Sequence, residues 1–203
     1  MPNHENKIEN FKLGPLTDSK FISTALATYE QNGIQKNWEI VQAHDSVAIL
    51  IYHKEHKSFI LVKQFRPAVY LNNSDGMTVE LCAGIVDKEH TLAQIAKEEI
   101  EEECGYDVLL ENIERITSFH TSVGFAGSKQ MLYYVEVDES MKVSEGGGVA
   151  GELIEVIHLP IADAKALIYD ETIAKTPGLM FAFMWWFDRI RNCQRIIDPL
   201  WLV

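Results

Sequence analysis

Apolar residues run almost unbroken through SVAILIYH (Ser46 to His53) and SFILVKQF (Ser58 to Phe65), with the charged turn KEHK between them. Continuous hydrophobicity of this kind predicts strands covered on both faces. Upstream, from about Phe21 to Val41, FISTALATYE alternates apolar with polar, and the turn QNG (Gln31 to Gly33) predicts two antiparallel strands. Downstream, MTVELCAG predicts one strand ending at Gly84. A helix follows, then strands in ERITSFH and KQMLYYVEV, the glycine-rich loop SEGGGVAGE, a strand in LIEVIHL and two C-terminal helices. Strands, a helix, strands and helices in that order predict α+β or an α/β/α sandwich. A two-stranded element is marginal alone, so the first ~40 residues are expected to pack on the main domain or on a second subunit.

Composition narrows the function. The chain has 203 residues and a formal net charge of -12, which disfavours nucleic acid or an anionic membrane as partner. GLMFAFMWWF (Gly178 to Phe187) is too short for a bilayer, which needs about 20 residues. It reads as a buried helix in which Trp185 and Trp186 pack. Cys82, Cys104 and Cys193 form neither a disulfide framework nor a zinc pattern. With a polar N-terminus lacking an apolar signal core, the expectation is a reducing, cytoplasmic setting.

The chemistry concentrates in IAKEEIEEECG (Ile95 to Gly105). Thr91 and Gln94 form a capping box, so the helix is expected to begin near Leu92, and Gly105 suits its end. At about 100° per residue, Leu92, Ile95, Ala96 and Ile100 mark the apolar stripe. Glu99, Glu102 and Glu103 continue that stripe as neighbours at i, i+3 and i+4. Glu101 faces away, within reach of Lys97, and Glu98 sits on the flank. Three carboxylates held together raise their pKa values or share a cation, and hard oxygen ligands select Mg²⁺, Mn²⁺ or Ca²⁺.

GIVDKEHTLAQIAKEEIEEECGY (Gly84 to Tyr106) resembles the Nudix hydrolase signature G-x5-E-x7-R-E-U-x-E-E-x-G-U without a gap. Gly84, Glu99, Ile100, Glu102, Glu103, Gly105 and Tyr106 fall on signature positions. His90 stands where the pattern has its first glutamate, and Glu98 where it has arginine, so a charge-exchanged pair is conceivable. LVKQFRPAVY, VELCAGIVD, HTSVGFAGSKQ and GGGVAGELIEV further resemble the nucleoside-diphosphate-sugar branch, above all the UDP-sugar pyrophosphatases and then the ADP-ribose pyrophosphatases. The resemblance implies an α/β fold, a Nudix α/β/α sandwich over residues 44–203. Residues 1–43 would be an antiparallel sheet exchanged in a homodimer.

It also implies metal-dependent hydrolysis of a nucleoside diphosphate sugar, UDP-glucose giving UMP and glucose 1-phosphate. Mg²⁺ is the implied ion, with Mn²⁺ as alternative. Glu99 and Glu103 are the first-choice ligands, with Glu102 and the Gly84 carbonyl completing the set. Glu103, Glu102 and Glu152 make up the catalytic group. Glu152 would be a further ligand or the general base, an exposed loop acid being the plain alternative, and Glu145 is a weaker candidate. Arg66 sits at a strand end, where a guanidinium grips phosphate bidentately or forms a surface ion pair. Lys129 is a weaker phosphate candidate. Phe21 and Tyr29 are candidates to stack on a base, though a lone strand aromatic is more often core. Two other functions stay open: an ADP-ribose pyrophosphatase, and a degenerate domain that binds nucleotide or protein without turnover. ADP-ribose-specific members carry a proline shortly after the signature, whereas no proline lies between Pro67 and Pro160 here.

Overall fold

The computed structural model describes residues 8–149 and 151–197, with side chains as far as Asn192. The polar residues 1–7 and the side chain of Cys193 lie outside the described part. The N-terminal hairpin forms as read: β1 (Ile22–Gln31) pairs with β2 (Ile34–Ala43) in full antiparallel register. Its turn is tighter than QNG. Asn32 and Gly33, with φ of 55° and 78°, make the two-residue Asn-Gly turn that matches strand twist. The hairpin is a sheet of its own.

The second sheet is built on β3 (Ser46–His53) and β4 (Ser58–Phe65). These pair only near their hairpin, from Ile51↔Ile60 to His53↔Ser58, and then splay apart. A bent segment fills the wedge between them. β5 (Met77–Glu80) pairs with β4, and after Leu81 β6 (Cys82–Ile85) pairs with β3. MTVELCAG is therefore two strands that change partner at Leu81. On the far edge of β3 run β8 (Lys129–Val137), parallel, and then β7 (Glu114–His120). β9 (Glu155–Pro160) covers the other edge of β4, and the short β10 (Ala174–Lys175) joins β5.

The continuous apolar runs have the cause expected. Odd positions of β3 (Val47, Ile49, Ile51) join Ile60, Val62, Ile95 and Ile100 on the face of helix α2 (Leu92–Glu99). Even positions (Ala48, Leu50) join Phe59, Leu61, Leu132 and Phe183 under α3 (Ile161–Tyr169) and α4 (Pro177–Ile197). Each of these Val, Ile, Leu and Phe side chains, fully buried, contributes about 1.5–3 kcal/mol. Trp186 packs edge-on to Phe59 at 5.1 Å, as expected for a core aromatic. Helices on both faces of one sheet give the α/β/α sandwich. Among the described residues no helix is long and apolar enough to cross a membrane. Helix α1 (Pro67–Asn73) was not foreseen; Pro67 at its first position starts it directly after β4.

Candidate active site

Helix α2 starts with the expected capping box. Gln94 N–H donates to Thr91 Oγ1 at 3.3 Å, and Thr91 N–H to Gln94 Oε1 at 2.9 Å. The α-helical pattern stops at Glu99. Ile100–Cys104 forms a π-turn, closed by Gly105 at φ 82°. A straight helical wheel therefore fails for the last turn, although its main sorting survives: Glu101 is exposed, Glu103 is buried, and Glu99 and Glu102 are half-buried. Lys97 does not pair with Glu101. It reaches Asp107 and the Val108 carbonyl, because the chain folds back beneath it after Gly105.

β6 lies directly under this segment. A Cβ on Gly84 would stand 2.0 Å from Glu99 Oε1, so the Glu99 carboxylate rests on bare backbone that any side chain would fill. One residue earlier, Ala83 N–H donates to Glu103 Oε2 at 2.9 Å. Burial pushes the Glu99 carboxyl up to about 7, with the Glu102 charge adding to it. Burial pushes Glu103 up to about 8; the Ala83 N–H and the Cys82 thiol oppose the rise, while Glu99 and Glu152 reinforce it.

The glycine-rich loop seats on the π-turn. Gly147 N–H donates to the Glu103 carbonyl at 2.9 Å and Gly148 N–H to the Glu102 carbonyl at 3.0 Å. The loop brings Glu152 close enough for its charge to act on Glu99, Glu103 and Arg66. In this conformation Glu152 accepts the Val149 N–H at 3.1 Å. Glu145 instead pairs with Lys142 and is 88% exposed.

Arg66 ends β4 on the same side, and its fork is already engaged. Nε and Nη2 each donate to Glu80 at 2.8 Å, and Thr78 Oγ1 adds a bond of 2.5 Å. Burial would raise the Glu80 carboxyl, but Arg66 and Thr78 hold it below its usual value. Glu80 was missed in the sequence. The available signal was a lone carboxylate in the apolar run MTVELCAG, since a buried acid requires a partner. Lys129 is exposed at the start of β8, beside Gln130, which is two strands over from Ile85. Phe21 is exposed just before β1 and Tyr29 on β1 itself. Among the described residues the hairpin's hydrogen bonds to the main domain run to Gly124, Phe125 and Ser128 and none to α2, so the structure does not gather these aromatics with the carboxylates.

The departing signature positions meet in space. Glu98 Oε1 lies 2.6 Å from His90 Nδ1, and Oε2 accepts from Lys88 Nζ at 2.9 Å.

Residues 42–176 match the model of the NUDIX domain. The chain belongs to the NUDIX family. It is similar to uridine diphosphate glucose pyrophosphatase of Bos taurus, 38% identical over 90% of this chain and 95% of that one. The Mus musculus protein of the same name is 36% identical, with 91% and 96% covered. GDP-mannose pyrophosphatase of Cronobacter sakazakii is 39% identical over 70% of this chain and 74% of its own. The gathered acids Glu99, Glu102 and Glu103 are the three helical acids of the NUDIX signature, over the glycine that opens it.

A second group, distant in sequence from that signature, was not foreseen. His53, His56 and Glu139 hold ligand-type atoms within 4.8 Å of one another. They fit a cation poorly. The two rings stack at 4.0 Å and 7°, so no ion lies in both ring planes. His56 N–H also donates to His53 Nδ1 at 3.2 Å, which leaves the neutral ring's proton on Nε2, facing Glu139.

Proposed function

We propose that the chain hydrolyses the pyrophosphate bond of a nucleoside diphosphate sugar, UDP-glucose being the favoured substrate, to a nucleoside monophosphate and a sugar 1-phosphate. One observation carries the reading: Glu99 and Glu103 are fixed on the backbone of Gly84 and Ala83, with carboxyls pushed up to about 7 and 8. Crowded, desolvated acids of this kind fit a hard divalent cation, which removes the repulsion that raises them. The similarity to UDP-glucose pyrophosphatases over nine-tenths of the chain supports the substrate.

Glu99, Glu103 and Glu102 with the Gly84 carbonyl would hold Mg²⁺, or Mn²⁺ in its place. The bound ion polarises phosphate oxygens and lowers the pKa of water. Glu152, on its glycine-flanked loop, would take a proton from the attacking water or add a ligand. Arg66 offers its outward N–H groups to a phosphate oxygen while Glu80 fixes the plane of the fork. Lys129 and Phe21 would serve substrate only from the margin, Phe21 from a partner's hairpin. Leu26, Ile34 and Trp38 are each more than half exposed on that hairpin, which supports a homodimer covering it. Buried free Cys82 and Cys104 suit a reducing cytoplasm.

The similarity to GDP-mannose pyrophosphatases favours one second reading, the same chemistry on GDP-mannose. Release of sugar 1-phosphate is measured for UDP-glucose, UDP-galactose, GDP-mannose and ADP-ribose, with Mg²⁺ and with EDTA. The expected result is the highest kcat/KM for a UDP-sugar and none without metal. A higher value for GDP-mannose selects the second reading, one for ADP-ribose overturns the uridine assignment, and no turnover of any of the four overturns both.

A further inference from the structure

The turn between β3 and β4 reaches across to the chain that leaves β8. Lys54 N–H donates to the Val137 carbonyl at 2.9 Å, and its ammonium pairs with Asp138 at 3.0 Å. One residue on, a single carboxylate oxygen of Glu139 faces two imidazoles, His56 Nε2 at 3.3 Å and His53 Nε2 at 3.4 Å. The contact is slack: the buried His53 Nε2 has no hydrogen-bond partner. The two rings do not take up a proton equally. His53 is fully buried, and its Nδ1 already accepts the His56 N–H. His56 is half exposed. A proton added to the pair therefore settles on His56. It converts a neutral contact with Glu139 into a charge-assisted bond, shorter and roughly twice as strong. A second proton would set two cations 4.0 Å apart.

Glu139 also begins the path to the glycine-rich loop. It opens a short 3-10 turn (Glu139–Met141), and from there each anchor lies at the end of the π-turn. Asp107 N–H donates to the Met141 carbonyl at 2.9 Å, Val143 N–H to the Gly105 carbonyl at 2.8 Å, and Gly147 N–H to the Glu103 carbonyl. A Cβ on Gly146 would stand 2.3 Å from the Glu103 carbonyl oxygen, so this stretch is seated without slack. The remaining polar neighbours are few. Tyr106 stands edge-on to His53 at 5.9 Å, and His158 of β9 lies 5.7 Å from His56. Lys142 pairs with Glu145 at 3.1 Å. Burial opposes charge on His53 and His158, and Lys142 adds to this at His158; Glu139 and Glu55 favour it at His53.

We propose that Glu139 is a positioning residue for the glycine-rich loop, and that a proton on His56 sets how firmly it holds. Protonation draws Glu139 onto the β3–β4 turn and tightens the seat of Gly147 and Gly148, the part of the loop that leads to Glu152. The effect on turnover rests on the reading of Glu152 and the helical acids as the catalytic group; the clasp itself does not. His56 and Glu139 are both about half exposed, so the effect is graded, on the order of two- to fivefold in an equilibrium constant.

Nuclear magnetic resonance on the metal-free full chain tests the clasp, from about pH 8 to 5, the range in which imidazoles titrate. The His56 ring and the Gly147 and Gly148 amides are followed in wild type, Glu139→Gln and His56→Gln. In wild type the two amides should show a step at the His56 midpoint, and both variants should lose it. Glu99 and Glu103, with carboxyls near 7 and 8, titrate in all three proteins, so a step common to them belongs to those acids. The His56 midpoint should fall by about 0.3–0.7 pH unit in Glu139→Gln, the equivalent of a two- to fivefold loss. For UDP-glucose with Mg²⁺, kcat/KM of Glu139→Gln should match wild type within about twofold above the step and fall about two- to fivefold behind it below. Glycine amides that ignore the His56 step, or that keep it in Glu139→Gln, overturn the clasp whatever the activity. A ratio of kcat/KM that does not change with pH overturns the positioning role. The expected amide steps with no turnover of any nucleotide sugar uphold the clasp and overturn the substrate reading instead.

Discussion

Ala83 N–H donates to Glu103 Oε2 at 2.9 Å, joining the second residue of β6 to the π-turn that ends the signature helix. The bond aims a buried carboxyl whose pKa is pushed up to about 8. Glu103→Gln keeps an acceptor for Ala83 and removes the charge. With an ion expected to supply several kcal/mol to the transition state, kcat in Mg²⁺ should fall by about 100-fold or more. The melting temperature in EDTA should stay equal or rise slightly, because carboxylate repulsion is relieved. Near-wild-type turnover would remove Glu103 from the site.

Gly84→Ala places a methyl 2.0 Å from Glu99 Oε1. The carboxylate must move, since it is the mobile partner. Overpacking of this kind costs about 1–3 kcal/mol, yet activity should suffer more than stability. Thermal unfolding and kcat/KM measured on one preparation separate the two. An alanine variant as active as wild type means Glu99 needs no seat on this backbone.

Arg66→Ala strands Glu80, whose side chain is 10% exposed. A buried acid that loses its partner costs about 1–3 kcal/mol, here reduced because Arg66 itself is half exposed. The double variant R66M/E80L should recover stability by making the site apolar, but not activity, if the guanidinium serves substrate. Chemical denaturation and KM for UDP-glucose are the readouts. Full activity in the double variant would return Arg66 to a structural ion pair.

His53 is buried, and burial followed by the neighbouring His56 lowers its pKa below 6.5 despite Glu139. The sign follows from proton counts. Below pH 6.5 the unfolded chain binds a proton here that the native protein does not, so stability is present above about 6.5 and is lost as pH falls through the folded value. His158, lowered mainly by burial, acts in the same direction. The melting temperature should drop as pH falls below about 6.5, and His53→Gln should flatten that slope. An unchanged slope assigns the acid sensitivity elsewhere.

Trp38 Nε1–H donates to the Gly124 carbonyl at 2.6 Å and Val41 N–H to the Phe125 carbonyl at 2.8 Å, leaving most of the hairpin surface open. Light scattering at micromolar concentration should give the mass of a dimer. A fully active monomer would show that the hairpin needs no partner.

The sequence by itself located most of the strands, the signature helix and its cluster of acids. Periodicity located β3, β4, β7 and β8 because strands buried on both faces or alternating on one leave a pattern that packing cannot disguise. The Thr91–Gln94 box fixed the start of α2, since capping is a local hydrogen-bond matter. The three inward glutamates were legible because their spacing alone makes them neighbours. What lay between distant segments was not. Glu80 under Arg66, Ala83 under Glu103 and Gly147 on the Glu103 carbonyl are contacts across 14 to 44 residues. No local pattern encodes them. The wheel also could not foresee the π-turn, which depends on Gly105 and the loop docked against it. The meeting of Lys88, His90 and Glu98 needed both a helix and the path of the loop before it. Residue types offered a charge-exchanged pair; only the fold decided that two cations share one carboxylate.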